Sequence, residues 1–389
     1  MLGLYFHFPF CLSKCIYCDF GSSVISQNSC NNNEFQEKYC ECCKKQLLYF
    51  SQKIEKQPIT SIYFGGGTPS LLKPQVVKEL VDFSRELFDL SNDCEITLET
   101  NPTSFEIEKF EEFKNAGIKR ISIGIQSMDN KNLAWLGRKH NIEQGIFAIE
   151  QIKKLFKRWS FDLIYALPRQ TLNEWLEELK KALELSPTHL SLYTLIVDDN
   201  TPLGRMVKLG NIIPKTDDEI AEFYDATNDF LQNNSQLEQY EVSNYAIKGQ
   251  ESRHNLMYWN SDDYIGIGAG AHGRLKYKNG KRYELQNIFN YIDWQNSIKS
   301  WNNGLEVERE LTIEEQVEEI LIMGLRTKYG IDIEDIECRF NIDLNKFLNE
   351  KKLKEFQQDN LLTFNNKKLV LKPNGLKLLD FVVRNILVL

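Results

Sequence analysis

Residues 2 to about 195 alternate short apolar runs with amphipathic stretches, and this alternation restricts the possible folds more than any other feature. Such a pattern is typical of βα units that build a parallel sheet. Six units predict an α/β protein with a partial (β/α)6 barrel, whose functional side chains lie at the carboxyl ends of the strands. The candidate strands are Leu2–Phe8, Ser61–Phe64, Glu95–Thr100, Ile121–Ile125, Ser160–Tyr165 and His189–Leu195.

The chain changes character after about residue 305. The stretch 311–387 predicts two helices, a small hairpin around Asn365–Asn366 and a last helix after Pro373, in the order of a winged-helix-like α+β module. Its lysine-rich stretch Lys346–Lys372 suits either DNA binding or a solvated face. No cluster of base-reading side chains accompanies it, which favours the solvated face. We therefore expect three parts: residues 1–215, a barrel-extending segment 216–304, and a C-terminal module 305–389.

Composition excludes some classes of function. The 389 residues hold 47 Lys and Arg against 55 Asp and Glu, a net charge of −8, so no nucleic-acid partner is expected. No apolar run is long enough for a transmembrane helix, and the amino terminus does not resemble a signal peptide. We expect a cytoplasmic protein. The sequence leaves open whether it forms a homodimer or contacts a membrane surface peripherally.

Three cysteines, Cys11, Cys15 and Cys18, follow the first apolar run with the spacing C-x3-C-x2-C. Three thiolates bind three irons of a [4Fe–4S] cluster and leave the fourth iron open to a small molecule. This arrangement is typical of radical S-adenosylmethionine (SAM) proteins, in which the reduced cluster cleaves SAM to a deoxyadenosyl radical. The alternative is a zinc site completed by His7 or by another cysteine.

Nine cysteines in a chain without a secretion signal indicate thiols and metal ligands more than disulfides. Cys40 and Cys43 fall on one face of a predicted helix, near Cys30 and Cys42. A second metal site and ordinary thiols are the two readings of this group.

Polar residues collect at the predicted strand ends. The run Gly65–Pro69 ends the second strand, where glycines let the backbone approach a ligand. Glu99, Gln126 and Asp162 end later strands, and Arg138 follows, so together they suit the ammonium, carboxylate and ribose groups of SAM. Each residue taken alone fits a helix cap or a rim salt bridge better, and only the group favours a site.

A third group of residues is His254-Asn255-x-x-Tyr258-Trp259. Imidazole is an axial ligand of haem iron, and neighbouring aromatic rings offer flat surfaces for a porphyrin. The alternative is a histidine hydrogen-bonded among packed aromatic residues. The glycine-rich stretch 262–272 follows directly, and we expect it to close over the barrel mouth and bring His272 near the cofactor.

With these motifs assembled, the chain resembles the oxygen-independent coproporphyrinogen III oxidase-like radical SAM family over most of its length. The resemblance implies that Cys11, Cys15 and Cys18 bind a [4Fe–4S] cluster. The SAM contacts it implies are Tyr5, Tyr17, Gly66, Gly67, Thr68, Glu99, Gln126, Arg138 and Asp162. On the predicted strand the His7 side chain faces the same side as Tyr5. His7 is either a site residue or a histidine of the core.

Two branches of this family differ beside the cluster loop. The coproporphyrinogen dehydrogenases resemble one another in a fourth cysteine two positions after the third, where this chain has Phe20. The haem chaperones show Cys-Asp-Phe there, together with the H-N-x-x-Y-W motif, and this chain has both. The resemblance therefore implies a carrier that binds haem through His254, Tyr258 and Trp259. It would deliver haem to apo haem proteins such as respiratory enzymes, without dehydrogenase activity.

Two other functions compete with this one. The first is oxidative decarboxylation of two propionates of coproporphyrinogen III, and the second is radical SAM chemistry on an unrelated substrate with a structural His254. What SAM does in the chaperone branch does not follow from the sequence. One departure from the family is Ala166, where both branches tend to have glycine.

Overall fold

The computed structural model of the chain describes residues 1–301, 303–365 and 367–388. Its amino-terminal half alternates strands and helices as predicted, and all six predicted strands are present with ends that differ by a few residues. In chain order the strands of this half are β1 (Leu2–Phe8), β2 (Phe10–Cys11), β3 (Ser23–Val24), β4 (Pro58–Gly66), β5 (Asp89–Thr100), β6 (Arg120–Gln126), β7 (Arg158–Tyr165) and β8 (His189–Thr194).

Helices follow most of these strands and cover the outer face of the sheet. They are α1 (Gln27–Cys30), α2 (Asn33–Lys53), α3 (Pro74–Leu87), α4 (Ser104–Ile107), α5 (Phe110–Asn115), α6 (Asn130–Trp135), α7 (Ile142–Leu155), α8 (Leu172–Glu184) and α9 (Pro202–Lys208), with a 3-10 turn at Pro69–Leu71. Thr171 begins α8 with a capping box that involves Glu174, because each of the two side chains bonds the other residue's backbone N–H.

The six predicted strands pair in parallel in the order β1-β4-β5-β6-β7-β8. This order confirms the α/β fold built on six βα units. Because all six strands run the same way, their carboxyl ends lie along one rim of the sheet.

The second part of the chain extends this sheet at both edges, which the sequence did not predict strand by strand. On one edge β10 joins β8, and on the other β11 pairs in parallel with β1 and leads into an antiparallel ribbon. The elements are α10 (Asp217–Asn234), β9 (Glu238–Glu241), β10 (Asn244–Ala246), α11 (Arg253–Trp259), β11 (Asp263–Ile267), β12 (His272–Lys276), β13 (Arg282–Asn287), α12 (Tyr291–Trp301) and β14 (Leu305–Glu310). The result is one sheet of twelve strands.

Strand β1 shows how the sheet separates core from site. Leu4, Phe6 and Phe8 are fully buried on the outer side, where Phe8 packs edge-on against Tyr39 of α2. Because side chains alternate along a strand, Tyr5 and His7 face the inner side of the sheet. The outer face therefore supplies the hydrophobic core, and the inner face carries polar and aromatic groups.

The C-terminal residues form a module with its own apolar core. Its elements are α13 (Ile313–Gly324), β15 (Ile331–Asp332), α14 (Ile333–Phe340), a 3-10 turn at Leu344–Phe347, α15 (Glu350–Gln358), β16 (Leu362–Phe364), β17 (Lys368–Leu371), α16 (Pro373–Lys377) and α17 (Leu379–Ile386). The predicted hairpin is formed by β16 and β17, although Asn366 lies outside the described residues. Residues 305–310 pair with β13 in the main sheet. The winged-helix assignment and the three-part division stay predictions.

Among the described residues, no helix is both long and apolar enough to cross a membrane.

Candidate functional site

The three cysteines of the C-x3-C-x2-C motif lie on one partly exposed loop directly after β1. Burial, and then the like charges of Cys11 and Cys15, raise the pKa of Cys18. Cys11 accepts a hydrogen bond from the Thr68 hydroxyl at 3.3 Å, and Cys15 accepts one from the Arg138 guanidinium at 3.5 Å. The three sulfurs thus share one electrostatic environment at the carboxyl end of the sheet.

The donor set of this loop suits an iron–sulfur cluster better than a single metal ion. Within the described residues, no three or more His, Cys, Asp or Glu side chains converge closely enough to hold one ion. A [4Fe–4S] cluster does not need such convergence, because each thiolate binds a different iron. All three cysteines are free thiols, so their ligand atoms are available.

The glycines at the end of β4 lie against the cluster loop. A Cβ atom on Gly67 would lie 2.5 Å from the Phe10 carbonyl oxygen, and one on Gly66 would lie 2.8 Å from the His7 ring. Gly66 also has a φ of +105°, which favours glycine. Glycine at both positions therefore lets the end of β4 pack directly against the segment that carries the cysteines.

Arg138 connects several of the predicted site residues. Besides Cys15, its guanidinium donates to the Asn101 side-chain oxygen and to the Gly124 carbonyl, both at 2.6 Å. Asn101 in turn donates to Thr68 at 3.2 Å. This network joins the ends of three strands to the cluster loop, and it places a half-buried positive charge beside the cysteines.

Two carboxyl groups lie deeper in the same mouth. Burial, and then the negative charge of Asp162, raise the pKa of Glu99 to about 7, although Glu99 accepts a 2.7 Å hydrogen bond from the Tyr63 hydroxyl. Burial likewise raises the pKa of Asp162 to about 6, against hydrogen bonds from Ser191 and Ser122. Both groups can therefore change protonation near neutral pH.

Gln126 also reaches this rim, with a φ of +74°. Its side-chain nitrogen would lie 2.8 Å from a Cβ on Gly124. Left-handed backbone at a non-glycine residue is strained, and such strain is often found at functional sites.

Tyr5, Tyr17 and His7 complete the group near the cysteines. The Tyr5 hydroxyl donates to His7 Nδ1 at 3.0 Å, because His7 Nε2 carries the proton that it donates to the Gly21 carbonyl. Burial raises the pKa values of Tyr5 and Tyr17, so both hydroxyls stay protonated. His7 is thereby fixed in position rather than free to complete a zinc site.

His254 lies at the other end of the partial barrel, on the inner face near the amino ends of the strands. Its Nδ1 hydrogen-bonds to the Ser61 hydroxyl and its Nε2 to the Tyr258 hydroxyl, both at 2.9 Å. Its ring stacks on Tyr63 with centroids 5.0 Å apart, and burial lowers its pKa to about 3. Both nitrogens are already engaged, and the ring is 1% exposed.

The other aromatic residues of that motif are packed as well. Tyr258 meets Tyr264 edge-on at 4.5 Å, and the guanidinium of Arg326 lies 4.6 Å from the Trp259 ring centroid. The structure thus brings His254, Tyr258 and Trp259 together on α11, and the His254 ring also lies against Tyr5 with centroids 6.3 Å apart.

The expectation that the glycine-rich stretch closes over the barrel mouth and brings His272 near the cofactor stays a prediction. His272 begins β12, and burial, followed by a smaller contribution from the charge of His272, lowers the pKa of His7. Burial, and then the Arg274 guanidinium, lower the pKa of His272 itself.

The second group of cysteines is buried in the main core on and beside α2. Burial raises the pKa of Cys40 to about 12, with the Cys40 thiol 3.7 Å from a Glu79 oxygen. These are core thiols in the part of the chain that the structure describes.

Two partners of the site did not emerge from the sequence analysis. Asn101 bridges Thr68 and Arg138, and Tyr63 holds Glu99. Asn101 stands in the run Glu99-x-Asn101-Pro102 at the end of β5, which could have singled it out. Tyr63 reads as an ordinary strand aromatic, and only the register of β4 against β5 reveals its partner.

Comparison with known families bears on both halves of the chain. The family model described as the radical SAM superfamily matches residues 5–182, and that described as the HemN C-terminal domain matches residues 311–378. The first range contains the cysteine loop and every residue proposed to contact SAM.

Several relatives match most of the chain. The heme chaperone HemW of Lactococcus lactis is 34% identical over 376 residues, covering 96% of this chain and 94% of that protein. HemW of Buchnera aphidicola is 39% identical over 281 residues, 72% of each chain. The mitochondrial radical S-adenosyl methionine domain-containing protein 1 of Bos taurus is 33% identical over 393 residues, covering 99% and 87%.

Among solved structures, coproporphyrinogen III oxidase HemN from Escherichia coli has a TM-score of 0.82. It is 21% identical and covers 98% of this chain and 89% of that one. At this identity the similarity establishes the radical SAM fold, and the fold alone.

Proposed function

This chain belongs to the heme chaperone HemW family of radical SAM proteins, and from that premise we propose that it binds haem and delivers it to apo haem proteins. The observation that carries the proposal is the 34% identity to a HemW over 96% of the chain. Phe20 supports it, because the coproporphyrinogen dehydrogenases have a cysteine at that position.

In this proposal the thiolates of Cys11, Cys15 and Cys18 each bind one iron of a [4Fe–4S] cluster, and the fourth iron is left for SAM. When bound, the cluster and SAM supply one-electron chemistry at the mouth. The chain's own contribution is positioning. Arg138 and Thr68 donate hydrogen bonds to the thiolates of Cys15 and Cys11 and so stabilise their negative charge.

The remaining residues around the mouth would hold SAM. Gly66, Gly67 and Thr68 offer backbone groups, and Arg138 offers a positive charge toward a carboxylate. Glu99 and Asp162 can accept hydrogen bonds from ammonium and hydroxyl groups, with Gln126, Tyr5 and Tyr17 beside them. Burial keeps Glu99 near its titration point, so its charge responds to a cationic ligand.

The haem assignment to His254, Tyr258 and Trp259 stays a prediction. For His254 to bind an iron, one of its ring nitrogens must release its hydrogen bond to Ser61 or to Tyr258. A cytoplasmic location and respiratory enzymes as acceptors also stay predictions, and the relatives include a protein named as mitochondrial.

An anaerobic haem titration of the cluster-reconstituted protein tests the proposal. We expect saturable binding near one haem per chain, followed by transfer to an apo haem protein when the two are mixed. Absence of specific binding would overturn the proposal, and turnover of coproporphyrinogen III by the same preparation would replace it with the dehydrogenase function.

A further inference from the structure

We propose that a pocket between the antiparallel ribbon and the C-terminal module binds a phosphate group. In this proposal the Arg282 guanidinium binds the phosphate oxygens, and the Asp262 carboxylate accepts a hydrogen bond from a phosphate hydroxyl. The inference goes beyond the proposed haem-chaperone function and does not depend on haem binding.

The pocket lies at the amino end of β11, where Asp263 pairs with Leu2 of β1. The cysteine loop follows the opposite end of β1, so the two sites are separate. The pocket has a volume of about 490 Å³, which is in the range of small-molecule sites. Asp262 and Arg282 line it on the side of the sheet, and Arg339 of α14 lines it on the side of the module.

Arg282 is a buried cation without an ion partner. It is 8% exposed, and its side chain makes neither an ion pair nor a hydrogen bond with any residue that the structure describes. The carboxylates that act on it from a distance have other partners. Asp263 accepts the Lys276 backbone N–H at 3.0 Å, and Glu319 pairs with Arg274 at 2.7 Å. A buried guanidinium without a counter-ion is costly, so this position favours an anion.

A second guanidinium lies beside the first. Arg282 and Arg339 contact the same Phe340 ring, with their guanidinium carbons 4.9 Å and 5.1 Å from its centroid. Burial, and to a smaller extent the charge of Arg339, lower the pKa of Arg282. An anion bound to Arg282 would offset this repulsion as well as the burial.

Two further buried polar atoms of the pocket have no hydrogen-bond partner. Asp262 is 4% exposed, and its Oδ1 pairs with Arg339 at 2.9 Å and with the Met1 amine at 3.5 Å, whereas its Oδ2 has no partner. The Oγ of Ser261, which is also buried, has none either. Together with the Nε of Arg282, three such atoms line one pocket.

This combination of groups selects the class of anion. Arg282 and Ser261 can donate hydrogen bonds to the ligand, whereas the Asp262 carboxylate can only accept one. Inorganic phosphate at neutral pH has both acceptor oxygens and a hydroxyl, but sulfate has only acceptor oxygens. A phosphate group therefore satisfies all three unpartnered atoms, with charge-assisted hydrogen bonds to the guanidinium.

The rim of the pocket is also positively charged. Lys281 and Lys276 are exposed there, and Lys281 pairs with Glu310 at 2.7 Å. The Lys276 side chain makes no ion pair within the described residues. An unpaired lysine at the entrance would raise the local concentration of anions.

The test is isothermal titration calorimetry of the full chain with its cluster reconstituted, at pH 7 and at constant ionic strength. The titrants are inorganic phosphate, sulfate and adenosine monophosphate. We expect saturable binding of phosphate and about tenfold weaker binding of sulfate, which cannot donate to Asp262. Adenosine monophosphate that binds at least as tightly as phosphate would identify a phosphate monoester as the ligand, and binding of phosphate alone would identify the free ion.

Arg282→Met removes the charge and keeps most of the side-chain volume. We expect it to weaken phosphate binding by about tenfold or more. Arg309→Met is the matched control, because Arg309 is an exposed arginine of the same ribbon that does not line the pocket. It should bind phosphate as the wild type does. Equal phosphate affinity in Arg282→Met and wild type, or no saturable binding by the wild type, would overturn the proposal.

Thermal unfolding separates binding from a structural role of Arg282. A phosphate bound between sheet and module stabilises the folded protein, so phosphate should raise the melting temperature of the wild type but not that of Arg282→Met. Ser261→Ala removes a hydroxyl that bonds nothing in the protein, and it should weaken phosphate binding without lowering the melting temperature in chloride. Lower stability of Arg282→Met in chloride, with no response of the wild type to phosphate, would show a structural arginine only.

Discussion

Gln126 and Ala166, each at the carboxyl end of a parallel strand, adopt the left-handed backbone region with φ of +74° and +58°. L side chains disfavour this region because Cβ approaches the carbonyl oxygen. At Gln126 the strained backbone accompanies a side chain that reaches the candidate SAM site. At Ala166 the side chain is a buried methyl group that makes no hydrogen bond. The strained backbone there therefore does not direct a polar side chain toward the site.

Ala166→Gly should therefore stabilise the protein. Glycine removes the steric conflict at φ +58°, and this outweighs the larger chain entropy that it gives the unfolded state. We expect the free energy of unfolding to rise by about 0.5–1 kcal/mol, measured by urea denaturation. Ala148→Gly, in the middle of α7, is the control and should instead destabilise the protein.

The raised pKa of Glu99 predicts a specific pH dependence of stability. The unfolded carboxyl titrates near 4.5 and the folded one at about 7. Between these values the folded protein retains a proton that the unfolded chain has released, so folding loses stability as pH rises through this window. The side chain of the Glu99→Gln variant cannot ionise, so this variant does not lose stability as the pH rises through this window.

We expect the stability of Glu99→Gln relative to wild type, without cofactors, to increase by about 2–3 kcal/mol between pH 5 and pH 8. Urea unfolding curves at several pH values measure the difference. Glu177→Gln, which removes a surface carboxylate on α8, should show no such trend. A pH-independent difference for Glu99→Gln would contradict the burial of its charge.

At the scale of elements, the sequence pattern predicted the strands whose formation depends on neighbouring residues. The six parallel strands followed from apolar runs and capping signals, and Glu99, Gln126 and Asp162 followed from their place at strand ends. The additions β9–β14 did not follow, because their short, half-polar strands are specified by pairing with distant partners. His254 shows the same limit, since its motif indicates an imidazole among aromatics but not at which end of the barrel they lie.

In the cluster loop, the effect of a mutation on cluster binding can be separated from its effect on the stability of the fold. Cys11→Ser should reduce bound iron and sulfide to background, because three thiolates are needed to anchor the cluster. The apo melting temperature should change by no more than about 1–2 °C, since the loop is partly exposed. The measurements are iron and sulfide analysis and circular dichroism.

Cys338→Ser is the matched control, because Cys338 is an exposed cysteine on α14. It should leave both iron and sulfide unchanged. Equal cluster content in Cys11→Ser and Cys338→Ser would exclude the loop as the cluster site.

At the scale of the whole molecule, the C-terminal module has its own core but is joined to the sheet by charged contacts. Glu241 is fully buried in the main sheet, and it accepts hydrogen bonds from Asn244 and from Arg326 of the module. Arg326 also covers Trp259 on α11. One side chain of the module thus reaches both the sheet edge and the helix at the barrel base.

Arg326→Ala should destabilise the protein by about 2–4 kcal/mol, because it leaves the buried Glu241 carboxylate without its guanidinium partner. Lys328→Ala is the control. Lys328 pairs with Glu238 in an exposed position, and its loss should change stability by less than about 1 kcal/mol. Urea unfolding followed by tryptophan fluorescence measures both, and similar values for the two variants would exclude a structural role for the buried pair.

Helix α11 lies across the amino ends of the barrel strands, where the backbone N–H of Arg253 donates to Glu95 and His254 bonds Ser61. In the part of the chain that the structure describes, α11 covers the amino ends of these strands, and the cysteine loop lies at their carboxyl ends. Two ligands that enter from the same end of the barrel bind in a fixed order. The ligand that lies deeper binds first and dissociates last. A ligand bound beside the cysteines therefore blocks the exchange of any ligand bound deeper between the strands. The two ligands cannot bind and dissociate independently.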